Sequence, residues 1–432
     1  MNYWLDYFLK YIVSNFIVGI IVGLILFLIS RKFKQKKIKK TIKENQKNLD
    51  KNYLIASITT VIITAIFIVS SFSIQLFINY KMNSNDIQNI LNSSETINTS
   101  DTVDTVETEK PIESVIPNTV GTCDTPGEAN SIFIDRDYAY IADGKSGLQI
   151  IDIEDKKNPK IIGNFNTDGF LNDVFVKDDY VYLADMQSFT IIDIKDKSNP
   201  KLITSYDLFK EGTTSYLKRL SEGDKLLINY PNVNNVFVDG EYAYLTDNIG
   251  LKIFNITDKS KPVLVGSKDT FYNSKKVYVN NNFAYVIDDI DGLQIIDISN
   301  KENPLKVGMC DTYGSAEDIC IKDRYAYIAD GLNGLFVVDL EFKDFFSIGT
   351  TIFNDKNINN LNSVFEDNNY VYVCNNNNLI ILKINMADNI FLSNSTIINN
   401  FITSGKTNDL FIKENFAYLV DTFKGLEIIK LE

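Results

Sequence analysis

The sequence of 432 residues contains no histidine. This absence excludes Ser-His-Asp and Cys-His activation of a nucleophile, zinc and copper sites with histidine ligands, and haem held by a proximal histidine. It also removes the side chain that most readily changes its charge near neutral pH. Enzymes that rely on paired carboxylates remain compatible with this composition.

Cysteine is scarce as well, and the four that exist are Cys123, Cys310, Cys320 and Cys374. They lie far apart and show no CxxC spacing, so a secreted disulfide scaffold is not indicated. Each occupies a position where the repeats described below carry an apolar residue. The pattern therefore predicts single thiols that pack as small hydrophobic side chains.

Positive charge is concentrated in one short segment. Residues 31–52 contain ten Lys and Arg against Glu44 and Asp50, a local charge of +8. Residues 1–30 are neutral overall and the whole chain carries −13, so the part from Tyr53 onward carries −21. A domain this acidic repels phosphates, which predicts that no nucleic acid is a partner of the large C-terminal part.

Two long uncharged stretches, residues 11–30 and 53–80, flank the basic segment. At 1.5 Å per residue, each is long enough to cross the roughly 30 Å hydrocarbon core as a helix. Short Lys-rich loops stay in the cytoplasm, so residues 31–52 are predicted to be cytoplasmic and both termini external in a two-pass plasma-membrane protein. The basic loop also suits contact with anionic lipid headgroups of the bilayer. A cleaved signal peptide, the alternative for the first stretch, carries positive charge before its apolar core rather than after it.

The chain divides into an anchor, a spacer and a large domain. Residues 1–80 are the predicted two-helix transmembrane hairpin with its cytoplasmic loop. Residues 81–115 are rich in Asn, Ser, Thr, Asp and Glu and have no apolar period, which predicts a flexible polar linker. Residues 116–432 form the repeated domain.

The repeat decides the predicted fold. Tyrosines in the pattern [AV]-Y-[ILV] lie at Tyr140, Tyr182, Tyr244, Tyr285, Tyr327, Tyr372 and Tyr418. Their spacing is 41 to 46 residues, except for 62 residues between the second and the third. Each unit contains four short runs with strand character, separated by turn residues. Four strands in about 42 residues are typical of a β-propeller blade, so the prediction is an all-β, seven-bladed propeller with four-stranded antiparallel blades.

The two ends of the repeated domain complement each other. The last unit stops at residues 425–432, directly after its third strand. The segment 118–127 (NTVGTCDTPG) resembles 305–314 (LKVGMCDTYG), which is the fourth strand of the fourth unit and its continuation. We therefore predict that the N-terminal strand completes the last blade, which removes the free sheet edges.

The third run of each unit carries a recurring pentapeptide. The runs read LQIID (148–152), FTIID (189–193), LKIFN (251–255), LQIID (293–297), LFVVD (335–339), LIILK (379–383) and LEIIK (426–430). They resemble the LVIVD repeat of prokaryotic surface and secreted proteins, although Lys383 and Lys430 replace the final acid in the last two units. The resemblance implies a propeller and an extracytoplasmic location, but no common activity.

Two sets of polar residues are predicted to converge on one face of the propeller. The first precedes strand 1 of each blade and comprises Ser131, Asp173, Asn235, Lys276, Asp318, Ser363 and Asp409. Since strand 1 lines the central channel, these residues should form a ring at the channel mouth. Two interpretations stay open: a solvated entrance, or a binding site whose oxygen ligands suit calcium.

The second set ends strand 2 of each blade and comprises Asp143, Asp185, Asp247, Asp288, Asp330, Asn375 and Asp421. We predict that these residues fix the following turns by accepting backbone N–H bonds, as at Asp143-Gly144 and Asp330-Gly331. The same face receives an insertion of 21 residues around 208–231, in which residues 213–220 are expected to form a helical turn or two.

These features give one leading functional hypothesis and two alternatives. The leading hypothesis is a membrane-anchored, extracytoplasmic interaction module that binds a protein or a glycan and is not an enzyme. The first alternative is a carboxylate-dependent enzyme that acts on extracellular polysaccharide. The second is a structural surface protein stabilised by calcium; no other cofactor is indicated.

Overall fold

The computed structural model describes residues 118–208, 216–219, 226–229, 232–270, 273–341, 348–353, 360–367, 370–385 and 394–431. All of them belong to one compact unit, residues 108–432. The predicted transmembrane hairpin and the whole predicted linker lie outside the described residues. Within the described ranges, no helix is long and apolar enough to span a membrane.

The described residues form β-strands and no helix, as the alternating apolar pattern predicts. The closing strand of the last blade is β1 (Thr119–Cys123). Blade 1 contains β2 (Ser131–Asp135), β3 (Tyr138–Ala142), β4 (Leu148–Asp152) and β5 (Lys160–Phe165). Blade 2 contains β6 (Leu171–Lys177), β7 (Tyr180–Asp185), β8 (Ser188–Asp193) and β9 (Lys201–Asp207). A hairpin of β10 (Tyr216–Arg219) and β11 (Leu226–Asn229) follows.

The remaining blades repeat this pattern. Blade 3 contains β12 (Asn235–Asp239), β13 (Tyr242–Thr246), β14 (Gly250–Asn255) and β15 (Val263–Asp269). Blade 4 contains β16 (Ser274–Asn280), β17 (Phe283–Asp288), β18 (Gly292–Asp297) and β19 (Leu305–Cys310). Blade 5 contains β20 (Asp318–Lys322), β21 (Tyr325–Ala329), β22 (Leu335–Asp339) and β23 (Ile348–Phe353). Blade 6 contains β24 (Ser363–Asp367), β25 (Tyr370–Cys374), β26 (Asn378–Asn385) and β27 (Asn394–Ile402), and blade 7 contains β28 (Thr407–Lys413), β29 (Phe416–Asp421) and β30 (Gly425–Lys430).

Seven four-stranded antiparallel sheets result, and they close into a ring. The first strand of each blade contacts the first strand of the next, and β28 of blade 7 contacts β2 of blade 1. The prediction of a seven-bladed propeller is confirmed.

The hydrophobic core lies between adjacent blades. One cluster, for example, joins Tyr140, Leu148 and Ile150 of blade 1 to Val174 and Leu183 of blade 2. The seven repeat tyrosines are all buried, which explains why the pattern retains them. The cysteines are free thiols; Cys310 and Cys374 are buried, whereas Cys123 and Cys320 are half-buried. Their predicted role as small apolar side chains agrees with this placement.

The prediction that the N-terminal strand closes the ring is confirmed. Strand β1 pairs antiparallel with β30, which gives blade 7 its fourth strand. A Cβ atom at Gly121 of β1 would lie 2.2 Å from the carbonyl oxygen of Lys156 in the next blade. Gly163 of β5 has the same relation to Lys197 of blade 2, at 1.9 Å. Only glycine fits where the neighbouring turn crosses the outer strand so closely, so β1 occupies a true fourth-strand position.

The expected helical turns in the insertion are wrong. Tyr216–Arg219 pairs antiparallel with Leu226–Asn229 as a two-stranded hairpin. The sequence signal was present: the run LLIN follows a Gly223-Asp224 dipeptide, which is the composition of a turn leading into a strand.

Candidate functional site

One face of the propeller contains the connections from strand 4 to strand 1 and the turns from strand 2 to strand 3; we call it the mouth face. The two kinds of segment meet through backbone hydrogen bonds. The Leu171 N–H donates to the Gly144 carbonyl over 3.0 Å, and the Val233 N–H donates to the Met186 carbonyl over 2.9 Å. The β10–β11 hairpin interrupts the connection between blades 2 and 3 and therefore belongs to this face.

The first strands line a central channel with layers of different chemistry. In β2, Ile132 and Ile134 are buried against neighbouring blades, and the intervening side chains face the channel because strand residues alternate. The upper layer is the polar ring predicted from sequence. The layer below contains Phe133, Phe175, Phe237, Tyr278, Cys320, Phe365 and Phe411. Neighbouring aromatic centroids in this layer are 4.9 to 5.5 Å apart.

The structure brings all seven predicted ring residues together, in largely buried positions. They lie within strand 1, and all except Lys276 are buried. Four ring side chains accept a backbone N–H from the next blade: Asp409 from Ile132, Asp173 from Val236, Asn235 from Val277, and Asp318 from Val364. The ring therefore joins successive blades, and burial is tolerated because each polar group has a partner.

Two serines connect the three carboxylates of the ring. Ser131 Oγ lies 2.5 Å from Asp173 Oδ1 and 2.9 Å from Asp409 Oδ2. Ser363 Oγ lies 2.8 Å from Asp318 Oδ2 and 2.9 Å from Asp409 Oδ1. A hydroxyl has one proton and can donate to only one carboxylate at a time. Each serine thus leaves one carboxylate contact that needs a proton or a neighbouring cation.

Lys276 supplies that cation on one side of the ring. Its Nζ lies 2.8 Å from Asp318 Oδ1 and 3.7 Å from Asp409 Oδ1. Burial lowers the pKa of Lys276, but the carboxylates of Asp318, Asp409 and Asp173 outweigh burial and raise it above its usual value. This lysine is therefore a charged member of the ring at all physiological pH values.

The other side of the ring, around Asp173, favours a proton. Burial raises the pKa of Asp173 to about 6, against the opposing effects of Lys276 and of the hydrogen bonds from Ser131 and Val236. Below about pH 6, a protonated Asp173 can donate to Ser131 Oγ, and Ser131 can then donate to Asp409. Above that pH, Asp173 is mainly ionised and accepts the hydrogen bond from Ser131. The geometry and the raised pKa agree on this arrangement.

We expect Asp173→Asn to stabilise the protein at pH 7.5 by about 1–3 kcal/mol. The folded-state pKa lies above the ordinary value of 3.8, so the folded state binds the proton more tightly. Wild-type stability should therefore rise as the pH falls from about 7 towards 4. Asparagine imitates the protonated carboxyl, so the advantage of the variant should shrink below about pH 6 and disappear only as the pH falls below the ordinary pKa of 3.8. The measurement is the thermal midpoint of both proteins across this range.

Asp155→Asn serves as the control. Asp155 is exposed, and its pKa is lowered by hydrogen bonds from Asn158 and Lys157. This substitution should bring no gain at pH 7.5. A difference between Asp173→Asn and wild type that does not change with pH would contradict the proton assigned to Asp173.

A second polar row, which we call the outer row, lies one residue before the ring, and the sequence reasoning missed it. Its members are Asn130, Asn172, Asn234, Lys275, Glu317, Asn362 and Asn408. With five of the seven ring residues they line a cavity of about 510 Å³ in which nine of sixteen lining residues are asparagine. The signal was available, since asparagine recurs at this position in five of seven units. Such a cavity lies within the size range of ligand sites, about 300–1,000 Å³.

The acids that end strand 2 fix turns in most blades, as predicted. Asp247 accepts the N–H groups of Ile249 and Gly250, both over 2.8 Å. Asp288, Asn375 and Asp421 accept N–H groups from their own turns in the same way. Asp185 differs from the prediction: burial raises the pKa of its carboxyl, and the hydrogen bonds that oppose this rise come from the preceding connection, including the backbone of Gly169.

The two examples that precede glycine differ from the prediction. The Asp143 carboxylate accepts the Thr125 hydroxyl over 2.7 Å and the Gly127 N–H over 2.8 Å, both from the preceding connection. Asp330 accepts the equivalent hydroxyl of Thr312 over 2.6 Å. The turn after Asp143 is closed by a backbone hydrogen bond, in which the Ser146 N–H donates to the Asp143 carbonyl. These carboxylates therefore anchor the strand 4–strand 1 connection, because glycine already provides the turn conformation.

No metal site stands out in the described ranges. In them, no group of three or more Asp, Glu or Cys side chains lies close enough to hold a metal ion. The ring carboxylates instead use their oxygens to accept hydrogen bonds from protein groups.

Large apolar side chains are exposed on the mouth face. Tyr313 in the connection to blade 5 and Phe423 in the strand 2–strand 3 turn of blade 7 are 82% and 81% exposed. Met186, Ile290 and Leu332 occupy other strand 2–strand 3 turns and are also exposed. Aromatic side chains and methionine are enriched in protein interfaces, so these residues are available for contact with a partner.

The comparisons with known proteins agree with the fold. The family described as LVIVD repeat matches residues 126–167, 168–208, 232–270, 273–312, 313–340 and 404–430, which together are half of the chain. No curated protein matches the sequence.

Solved propellers are similar in structure but not in sequence. The WD40 β-propeller domain of Doa1 superposes with a TM-score of 0.55 at 8% identity, covering 74% of this chain and 98% of that one. The computationally designed Ika8 protein gives a TM-score of 0.51 at 6% identity, covering 73% and 100%. A chain of the mitotic checkpoint complex gives 0.53 at 8% identity, covering 78% and 99%. These likenesses concern the fold alone.

Proposed function

Because the chain belongs to the LVIVD-repeat family and folds as a seven-bladed β-propeller, we propose that it is an interaction module that binds an extracellular ligand on the mouth face. The observation that carries the proposal is the asparagine-lined cavity of about 510 Å³ at the channel mouth. The inserted hairpin and the exposed Tyr313 and Phe423 belong to the same face. A rigid ring with a long insertion on one face is suited to recognition.

Membrane anchoring and an external location are part of the proposal. They rest on the sequence: two uncharged stretches of membrane-spanning length enclose a basic segment of charge +8. In this arrangement the hairpin holds the protein in the plasma membrane, and the propeller lies on the external side.

We favour binding over catalysis because the ring carboxylates are engaged. Asp318 and Asp409 share Lys276 and Ser363, and Asp173 accepts hydrogen bonds from Ser131 and Asn235. A glycosidase needs one carboxyl that donates a proton to substrate and a second that attacks or activates water. Carboxylates whose oxygens are occupied by protein donors are poorly suited to both roles.

The test replaces single residues of the full chain by the photoreactive residue p-benzoylphenylalanine in intact cells. We expect light-dependent adducts with a partner from Tyr313 and Phe423. Protease added outside the cells should then release a fragment of about 36 kDa, its share of the 49.1 kDa chain, that retains the adduct. The readout is an immunoblot against the propeller.

Lys157 and Glu302 are the matched control positions, because both are exposed on the turns between strands 3 and 4, on the opposite face. They should give no adduct. Adducts of equal yield from the control positions would contradict the mouth face as the binding face. A propeller protected from protease until the cells are lysed would reverse the proposed topology.

A further inference from the structure

The five asparagines of the outer row share one hydrogen bond. Each Nδ2 donates to the backbone carbonyl just before the equivalent position of the next blade. The pairs are Asn130 to Leu171 at 3.0 Å, Asn172 to Val233 at 2.7 Å, Asn234 to Ser274 at 2.8 Å, Asn408 to Ala129 at 2.7 Å, and Asn362 to Thr407.

This contact fixes which atom each amide can offer to a ligand. A backbone carbonyl only accepts hydrogen bonds, so the asparagine must turn its NH₂ group towards the neighbouring blade. The amide oxygen is then not engaged in the contact between blades. The second N–H of the amide still donates, as it does from Asn408 to Thr422 Oγ1 over 2.8 Å, so the atom that the outer row leaves as an acceptor is the oxygen.

Three of these oxygens are open and adjacent. Asn234 Oδ1 is already used, because it accepts Asn232 Nδ2 over 2.9 Å, and Asn362 Oδ1 is buried. Asn408, Asn130 and Asn172 are half-buried, and their oxygens accept no hydrogen bond from the part of the chain that the structure describes. They come from blades 7, 1 and 2, which are neighbours in the ring. We call these three oxygens the acceptor arc.

The charges around the cavity cancel. Three lysines and three acids line it. Lys275 and Glu317 replace asparagine in the outer row. Lys275 Nζ lies 2.5 Å from Glu317 Oε1, so their charges neutralise each other. An ion entering the cavity would thus lose its hydration without meeting a net opposite charge. The lining also contains no apolar side chain, so an aliphatic or aromatic group would find no hydrophobic contact there.

We propose that the acceptor arc binds a neutral, hydroxyl-rich ligand, namely a sugar unit of a glycan. This inference rests on the proposed function and specifies its ligand class. Sugar hydroxyls donate hydrogen bonds to amide oxygens and accept them from the lysine ammonium groups at the same mouth. The absence of net charge and of apolar lining suits a sugar better than a peptide side chain.

The test titrates the purified full chain with four neutral hexasaccharides: cellohexaose, maltohexaose, mannohexaose and chitohexaose. Hexalysine is the charged comparison probe. We expect heat of binding for at least one hexasaccharide, with an affinity that is unchanged at about 0.5 M NaCl, since a neutral ligand is not screened. Asn130→Ala, Asn172→Ala and Asn408→Ala should each weaken binding about three- to tenfold, the effect of one lost neutral hydrogen bond.

Asn234→Ala and Asn362→Ala are the matched controls. They lose the same hydrogen bond to the next blade, but their oxygens are not part of the acceptor arc. They should change the affinity less than twofold. An equal loss in the controls would show that the asparagines act through structure alone and would overturn the acceptor arc.

The remaining outcomes distinguish a glycan from a cationic ligand, and a wrong ligand class from a wrong proposed function. Binding of hexalysine that disappears at high salt, without binding of any hexasaccharide, would replace the sugar by a cationic ligand. If no hexasaccharide binds but Tyr313 and Phe423 still form adducts in cells, the glycan assignment fails and the proposed interaction module stands. If no hexasaccharide binds and those adducts are absent as well, both the glycan assignment and the proposed function fail.

Discussion

Deleting residues 116–123 is expected to lower the melting temperature of the propeller by about 10 °C or more, or to make the chain aggregate. The deletion removes β1, the fourth strand of blade 7, and exposes the edge of β30. Cys123 would no longer pack on the cluster between blades 7 and 1. The buried Glu427 would lose the Thr119 hydroxyl, which donates to it over 2.7 Å. Glu427 would keep the two hydrogen bonds from Ser404, but its Oε1 would lose its donor. An unpaired strand edge and a buried carboxylate oxygen without its donor both destabilise the folded state.

The matched control deletes residues 108–115, an equal length of the predicted linker. That variant should melt like the wild type. A synthetic peptide of residues 116–125 added to the truncated chain should restore part of the lost stability, because it can pair with β30. A truncated chain that melts within a few degrees of the full chain would refute the role of β1 in closure.

Lys276→Met is expected to destabilise the protein by about 3–5 kcal/mol. Methionine keeps the length of the side chain but removes the only cation within 4 Å of Asp318 and Asp409 among the described residues. Two buried carboxylates on either side of Ser363 would then face each other with one hydroxyl proton between them. Their uncompensated charges would oppose folding. The measurement is the free energy of unfolding at pH 7.5.

Lys322→Met is the control: Lys322 pairs with Glu366 at 3.2 Å, but its side chain is 52% exposed. An exposed ion pair contributes little to stability, so the free energy of unfolding of Lys322→Met should hardly differ from that of the wild type. A Lys276→Met protein as stable as the wild type would contradict the role assigned to the ring lysine.

The fold was largely predictable because the repeat is local and periodic. In each unit, the alternation of apolar and polar residues and the turn residues between the runs predict four strands. Seven such units predict a ring of seven blades. The closing strand was predictable for the same reason: residues 118–127 carry the composition of a fourth strand without the three that should precede it. The hairpin at Tyr216–Arg219 was mispredicted since it has no counterpart in the other units, and a single short run has little periodicity to read.

The sequence by itself determined the blade number, the buried tyrosines and the convergence of Ser131, Asp173, Asn235, Lys276, Asp318, Ser363 and Asp409, because strand period and blade order are properties of the chain. It could not decide what those residues do once assembled. Asp173 and Asp409 are 236 positions apart in the sequence, and only ring closure puts one serine hydroxyl between them. Likewise, only the carbonyl of the next blade turns the amides of Asn130, Asn172 and Asn408 so that oxygen is left at the mouth. Hydrogen-bond direction, proton sharing and burial depend on atoms from neighbouring blades, and those neighbours exist only in the tertiary structure.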